Sequence, residues 1–367
     1  MPLDTIYLTR HGHRLNWTID YKTGTYHSQF PTPTGNPADP TLTSHGVRQS
    51  HELAAHFTSD EISPKPFRIY SSPFYRCLQT IQPSVEALRK QQQQQVQEDS
   101  SQSLNNDPST IDKHADLTVR IEPGLGEWFG PTTFFHHPSP APLSTLQSHF
   151  PSILPSPSQS QSPSSAPQNQ ILRPSTSGET IPQLHDRLAT TLSTLITTLD
   201  TEITQSEATL PPEQRTRKAV LICSHAAPLI AMGRVLTGNM PEDEGEEDFK
   251  VYTAGVSTFV RRGGLRGGDG EGERKGRDVE GVLAPGTEVL MNKDGGSVKV
   301  PDWREGRGVG GGWDCVRNGD CGFLSNGAER GWRFCGDESF DTGPMADPSA
   351  TPTSSLDSSV ETAGSKL

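Results

Sequence analysis

Apolar positions along the chain fall into short runs that alternate with helical rows. Thr5–Thr9 reads as a buried strand, and Thr43–Phe57 as a helix with Val47, Ser50, Ala54 and Phe57 on one face and Thr43 as its N-cap. Phe67–Tyr70 is a second strand. Ser72-Pro73 then opens a helix with Ser as cap and Pro at the first helical position. That helix aligns Cys77, Ile81, Val85 and Leu88, and Pro83 is expected to break or kink it. Leu117–Ile121 is a third strand. A long helix from Thr180 to about Ile203 carries Leu184, Leu188, Leu192, Leu195 and Leu199 on one side. Ala219–Cys223 is a buried strand followed by a short helix through Pro228–Leu236, and Val256–Val260 is the last clear strand. Strands alternating with helices imply an α/β fold, a three-layer α/β/α sandwich around a mostly parallel central sheet.

Between these elements lie stretches with no apolar period. Residues 90–115 hold a glutamine run, 138–176 are rich in Ser, Pro and Gln, 262–312 in Gly and charge, and 343–367 are polar. None buries enough apolar area to offset its ordering entropy, so each is expected to be loosely folded. The expected organisation is a domain over 1–261 with low-complexity insertions at about 90–115 and 138–176. A Gly-rich C-terminal extension over 262–342 and a disordered tail over 343–367 follow. Loops around 17–40 and 128–176 are expected to form a lid or rim. Hydrophobic residues make up only 31% of the chain, consistent with a core concentrated in part of it.

Charge and cysteine usage narrow the partners. A net charge of -12 argues against non-specific attraction to nucleic acid or to an anionic membrane. No run of ~20 apolar residues suits a bilayer, and the first residues lack the basic and apolar regions of a secretory leader. Five cysteines form an odd, sparse set that fits a reducing compartment, so an intracellular location, cytoplasm or nucleus, is expected.

The chemistry gathers at strand ends. Thr5–Thr9 delivers Arg10 and His11, with Arg14 just beyond, and Ala219–Ser224 delivers His225. Ser71-Ser72-Pro73-Phe74-Tyr75-Arg76 follows another strand and puts Arg76 in the first turn of a helix. Gly124-Leu125-Gly126-Glu127 follows a fourth and presents a carboxylate. Ligands of open α/β sheets bind beyond the carboxyl ends of the strands, and helix N-termini favour anions. Two histidines, three arginines and a glutamate there suit a phosphate with an acid beside it.

Arg10-His11-Gly12-His13-Arg14, with Ser72-Pro73-Phe74-Tyr75-Arg76-Cys77-Leu78-Gln79-Thr80, Glu127 and Ser224-His225-Ala226, resembles the histidine phosphatase (phosphoglycerate mutase-like) superfamily over about residues 4–260 without the insertions. The stretches HGHRLNW, SSPFYRCLQTIQP and GLGEW are similar to the fungal histidine-phosphatase-like subunits of the RNA polymerase III transcription factor TFIIIC. The resemblance implies a metal-independent phosphomonoester hydrolase with His11 as nucleophile, passing through phosphohistidine. It implies that Arg10, Arg14, Arg76 and His225 hold the phosphate, and that Glu127 is the acid and then the base. No cofactor is implied. The substrate would be a phosphorylated small molecule or phosphoprotein. A scaffold among TFIIIC subunits is the alternative, and a mutase-type phosphoryl transferase a second one; Arg14 after the R-H-G triplet favours hydrolysis over the latter. His136-His137 sits in a Pro-rich loop without matching ligand spacing, and Cys315, Cys321 and Cys335 lack a fourth zinc ligand.

Overall fold

The computed structural model describes residues 2–99, 110–155, 170–263, 278–279, 282–291 and 299–334. The expected tail at 343–367, Cys335, and the middle of both insertions (100–109 and 156–169) lie outside them. In chain order the elements are β1 (Thr5–Arg10), β2 (Trp17–Asp20), β3 (Thr25–Ser28), α1 (Ser44–Thr58), β4 (Pro66–Ser71), α2 (Tyr75–Asp99), β5 (Val119–Ile121) and α3 (Leu143–His149). Then come β6 (Leu172–Arg173), α4 (Ile181–Glu207), β7 (Ala219–Ser224), α5 (Ala226–Thr237), β8 (Val256–Arg261), β9 (Asp278–Val279), β10 (Glu288–Val289), β11 (Val300–Pro301) and β12 (Trp313–Asp320).

Six strands form the central sheet in the order β12-β8-β1-β7-β4-β5. The β1–β7, β7–β4 and β4–β5 pairs are parallel, and β8 and β12 add antiparallel strands at one edge. Every residue of β4 and β7 is buried, as strands covered on both faces require. Alternate strand residues feed two cores. Ile6, Leu8, Val220 and Ile222 meet α4 and α5, whereas Tyr7, Leu221 and Cys223 meet α1 and α2. The three-layer α/β/α sandwich expected from the alternation is thus the observed architecture.

The α4 row Leu184, Leu188, Leu192, Leu195 and Leu199 is buried, each leucine contributing about 1.5–3 kcal/mol relative to exposure. Thr180 caps this helix reciprocally with Gln183. Thr43 caps α1, its Oγ1 accepting from the Gly46 N–H at 3.1 Å. The buried face of α1 is carried by Gln49, Ser50, Leu53, Ala54 and Phe57, while Val47 is only half-buried.

Four local expectations are corrected. First, α2 begins at Tyr75 rather than Pro73, because the Asp39 carboxylate reaches in from another loop and accepts from the Tyr75 N–H at 2.6 Å and the Arg76 N–H at 3.4 Å. Second, α2 runs through Pro83 to Asp99 and takes in the glutamine run. Pro83 lacks one N–H, but Cys77, Ile81, Val85 and Leu88 on the buried face hold both halves to the core. Third, the part of 138–176 before residue 156 is folded: Phe150 and Ile153 are buried, and the Ile153 carbonyl accepts from Val119 N–H at 2.9 Å. Fourth, the chain after 261 enters the main structure. Trp303 and Trp313 are fully buried in the α4–α5 core, and β12 pairs with β8. The large indoles supply the apolar area that the surrounding glycines lack.

Candidate active site

The parallel ladder sets the site's geometry. Beyond the strand ends it continues from His11 N–H to the Ser224 carbonyl, from Ser72 N–H to the Cys223 carbonyl and from Glu122 N–H to the Ser71 carbonyl, each at 3.0 Å. The residues that follow four strands are thereby locked at one level. The ring nitrogens of His11 and His225 and the carboxylate of Glu127 all lie within 4.8 Å of one another, and the two imidazoles meet edge to face at 5.4 Å.

His11 is buried and its Nδ1 is 2.9 Å from the Gly12 carbonyl. A carbonyl only accepts, so Nδ1 carries the proton and Nε2 presents its lone pair. Burial, then the charges of Arg76, Arg10, His225 and Arg14, hold His11 well below the usual imidazole range. The turn that carries it is tight. A Cβ on Gly46 would fall 2.0 Å from the His13 carbonyl oxygen, so only glycine lets α1 approach so closely. The Gly12 N–H is fixed by Thr80 Oγ1 at 2.9 Å, and that hydroxyl donates to the Arg76 carbonyl at 2.8 Å.

Arg76 has no solvent exposure. Nη1 donates to the Ala38 carbonyl (2.9 Å) and Asp39 Oδ1 (3.0 Å), and Nη2 donates to Glu127 Oε2 (2.9 Å) and lies 3.1 Å from His225 Nδ1. Its Nε is buried with no hydrogen-bond partner among the described residues. His225 Nε2 lies 2.7 Å from Ser72 Oγ, and Nδ1 lies 3.2 Å from Glu127 Oε2. Burial lowers His225, but its neighbours Cys77 and then Glu127 outweigh that and leave it raised. Burial alone would raise Glu127; the charges of His225, Arg76 and Arg14 outweigh it and hold the carboxyl far below the usual range. Cys77 lies 3.6 Å from His225 Nε2 and, raised by burial, keeps its proton.

Arg14 donates from Nη1 to the Leu15 carbonyl at 3.0 Å and sits 5.8 Å from the Trp17 ring, with no further bond among the described residues. Burial, and next Arg76, pull it down to about 9, so it remains a cation at neutral pH. Arg10 is turned toward the chain's C-terminal part: Nη1 donates to the carbonyls of Val251 (2.9 Å) and Arg330 (2.5 Å). Four of the six expected site residues, His11, Arg76, Glu127 and His225, are thus brought together, while Arg14 and Arg10 act on them through their charge and Arg10 bonds toward the C-terminal part.

Two histidines and one carboxylate lie at a spacing that a cation would fit. Arg76 touches Glu127 directly, however, and Arg14 lies close by, so the local charge suits an anion. The expected rim is present: Tyr26 of β3 donates to His137 Nδ1 at 2.6 Å, and Asn36 Nδ2 to the Ser139 carbonyl at 3.2 Å. His137 spends its other nitrogen on the Gly130 carbonyl at 2.8 Å and stacks on Phe129, while the exposed His136 bonds Thr176. A cleft of about 680 Å³ opens beside Glu127 between Phe74, Phe129, Leu143 and Arg173.

Sequence reasoning missed Asp39, whose burial raises its carboxyl despite the Arg76 charge and two backbone N–H groups. Its signal was an acid between two prolines in an otherwise polar loop. Ser72, read as a helix cap, instead orients His225.

Residues 6–101 match the model of the histidine phosphatase superfamily (branch 1). The chain is 26% identical over 341 residues to the transcription factor tau 55 kDa subunit of Saccharomyces cerevisiae, a match covering 91% of this chain and 59% of the yeast protein. The chain therefore spans about three-fifths of the length of that curated relative. Among solved structures it is similar to the ecdysone phosphate phosphatase from Bombix mori in complex with tungstate (16% identity, TM-score 0.43, 74% of this chain and 98% of that one). It is also similar to a mycobacterial glucosyl-3-phosphoglycerate phosphatase (14% identity, TM-score 0.35, 71% and 91%).

Proposed function

We propose, from a chain that resembles the histidine phosphatases in sequence, that this protein hydrolyses phosphomonoesters through a phosphohistidine on His11. The observation that carries the reading is the state of that imidazole: buried and neutral, its Nδ1 proton donated to the Gly12 carbonyl, its Nε2 lone pair free, and the charges of Arg76, Arg10 and Arg14 felt at the ring. The buried Arg76 Nε without a partner supports it, because an orphaned charged donor is costly unless a ligand supplies the acceptor.

Proton bookkeeping follows from Glu127. In the free site it is ionised, so the proton needed by the leaving group arrives with the substrate. A phosphomonoester has a second pKa near ~6 and enters as its monoanion. Negative charge on the phosphoryl group offsets the arginines and lets Glu127 take that proton. His11 Nε2 then attacks phosphorus, the P–O bond breaks, and Glu127 protonates the departing alkoxide. The ionised Glu127 next removes a proton from water, which attacks the phosphohistidine and releases phosphate. Arg14, Arg76 and His225 hold the three phosphoryl oxygens throughout; Arg10 acts from the margin.

Rapid-quench mass spectrometry of a turnover with p-nitrophenyl phosphate is expected to find phosphate on His11, and His11→Ala to abolish release of nitrophenolate. Phosphate on another residue, or undiminished turnover in the variant, would refute the assignment. The protonation scheme also predicts that kcat/KM for an alkyl phosphate declines about tenfold per pH unit above ~6, as the monoanion disappears. A profile flat from pH 6 to 8 would contradict it.

A second reading is favoured by the match to the yeast tau subunit over most of this chain. In it the protein is a nuclear subunit of a transcription factor such as TFIIIC, with the phosphatase site incidental or regulatory. Affinity purification from the source cell discriminates: recovery of transcription-factor subunits supports it, and their absence removes it.

A further inference from the structure

Between Cys321 and Phe334 the chain forms a strap across the Arg10 side of the site. At one end Phe323 stacks flat on His56 of α1 (4.1 Å between centroids), and Ser325 Oγ donates to Glu52 at 2.5 Å. At the other, Phe334 and Trp332 pack against Trp128, the neighbour of Glu127, at 5.6 and 6.3 Å. In the middle, Glu329 Oε2 lies 2.5 Å from His45 Nε2 and accepts from Gln49 Nε2 at 3.0 Å, while the same Gln49 side chain accepts from the His13 N–H at 2.8 Å. The Glu329 carbonyl accepts from the Thr253 N–H at 3.1 Å.

Arg330 stands at the centre of this strap with φ at +49°, a left-handed conformation that a long side chain seldom adopts. The turn aims its carbonyl at Arg10 Nη1. Its guanidinium stays partly exposed, with Nη1 3.5 Å from Asn16 Oδ1, two residues beyond Arg14. Arg330 makes no ion pair among the described residues, and its charge adds to burial, the main cause, in lowering both His13 and Arg14. A strained cation is thus fixed beside an anion site, at its solvent end, with no carboxylate assigned to it.

We propose that Arg330 binds a second acidic group of the substrate, so that this strap selects phosphomonoesters bearing another phosphoryl or carboxylate group close to the scissile one. The inference rests on the anion-binding reading of the His11 site and makes the C-terminal segment a specificity element of it.

Calorimetric titration of the full chain with methylenediphosphonate and methylphosphonate, which cannot be hydrolysed, tests this without turnover. The wild-type protein is expected to prefer the two-headed ligand by about tenfold or more, the worth of one charge-assisted contact. Arg330→Gln should reduce the ratio to about threefold or less. Arg330→Gly should do the same while keeping the positive φ and the carbonyl bond to Arg10, and Arg330→Lys should restore part of the preference. Equal ratios in the wild-type and Arg330→Gly proteins, or no preference in the wild type, would overturn the proposal. Failure to hydrolyse p-nitrophenyl phosphate with the ratio intact would instead overturn only the phosphatase reading.

Discussion

A single buried guanidinium organises the site. Arg76 contacts Asp39, Glu127 and His225 at once, so its orientation depends on charges contributed by two loops and a strand end. Asp39 touches no reacting atom in this scheme; it positions Arg76 and caps α2. Asp39→Asn keeps the shape but removes the charge that anchors Nη1 and so fixes the guanidinium's orientation in the site. A bond to a charged group is worth about 1.5–3 kcal/mol, so orthophosphate affinity should fall roughly ten- to a hundredfold. Loss of a charge from a buried pair should also lower the melting temperature. Unaltered phosphate affinity in a folded Asp39→Asn protein would show that Arg76 needs no such orientation. His11, Arg14, Arg76, Glu127 and His225 were legible in the sequence because each follows a recognisable strand or opens a helix. Asp39 was not, since its loop has no periodicity and its partner lies 37 positions away.

At the scale of the element, α4 carries a titratable group inside an apolar face. His185 Nδ1 donates to the Ile181 carbonyl at 2.7 Å, its Nε2 is buried without a partner among the described residues, and the ring stacks on Trp303 at 5.7 Å. Burial is the main cause holding it down, to about 4, and His137 is likewise held at about 4. An unfolded histidine titrates near ~6.5, so the unfolded chain binds these protons first. Their contribution to stability is complete above ~6.5 and is lost as pH falls from there toward 4. The slope is at most about 1.4 kcal/mol per pH unit for each group. His185→Phe keeps the stack on Trp303 and removes the proton site. Urea unfolding midpoints of this variant should decline less steeply than those of the wild type between pH 6.5 and 4.5; identical slopes would mean that His185 is protonated in the native state. Helix α4 itself was readable from its leucine row, and α2 was misjudged at both ends. Its N-terminus is capped from outside the local sequence, and its glutamines, good helix formers without an apolar period, simply extend the buried first half.

Across the whole molecule, the sheet strands β1, β4, β5, β7 and β8 were evident from their apolar runs, whereas the β2–β3 hairpin inside the loop expected at 17–40 and the edge strand β12 were hidden. Half of the eight residues of β12 are exposed, its apolar residues follow no period, and Trp313 at its start is its one large buried side chain. Its place is fixed by the β8 edge, a tertiary fact that no local pattern announces. The expected boundary at 261 can be tested directly. A chain ending at 262 lacks β12, Trp303 and Trp313, so it leaves cavities in the α4–α5 core and bares the outer edge of β8. It should melt well below the full-length protein and scatter light as it associates. An unchanged, cooperative and monomeric melt would establish 1–261 as self-sufficient.

The hydrogen bond from Arg10 to the Arg330 carbonyl joins positions 320 residues apart. At about 5–20 residues per second, a ribosome finishes the second position tens of seconds after the first has emerged. During synthesis the nascent protein therefore passes through an interval in which α1, α2 and the first parallel strands are available to pack while β8 offers a bare edge to any passing strand. Chaperone capture is expected in that window, and slowing translation of the Gly-rich stretch just after β8 would lengthen it.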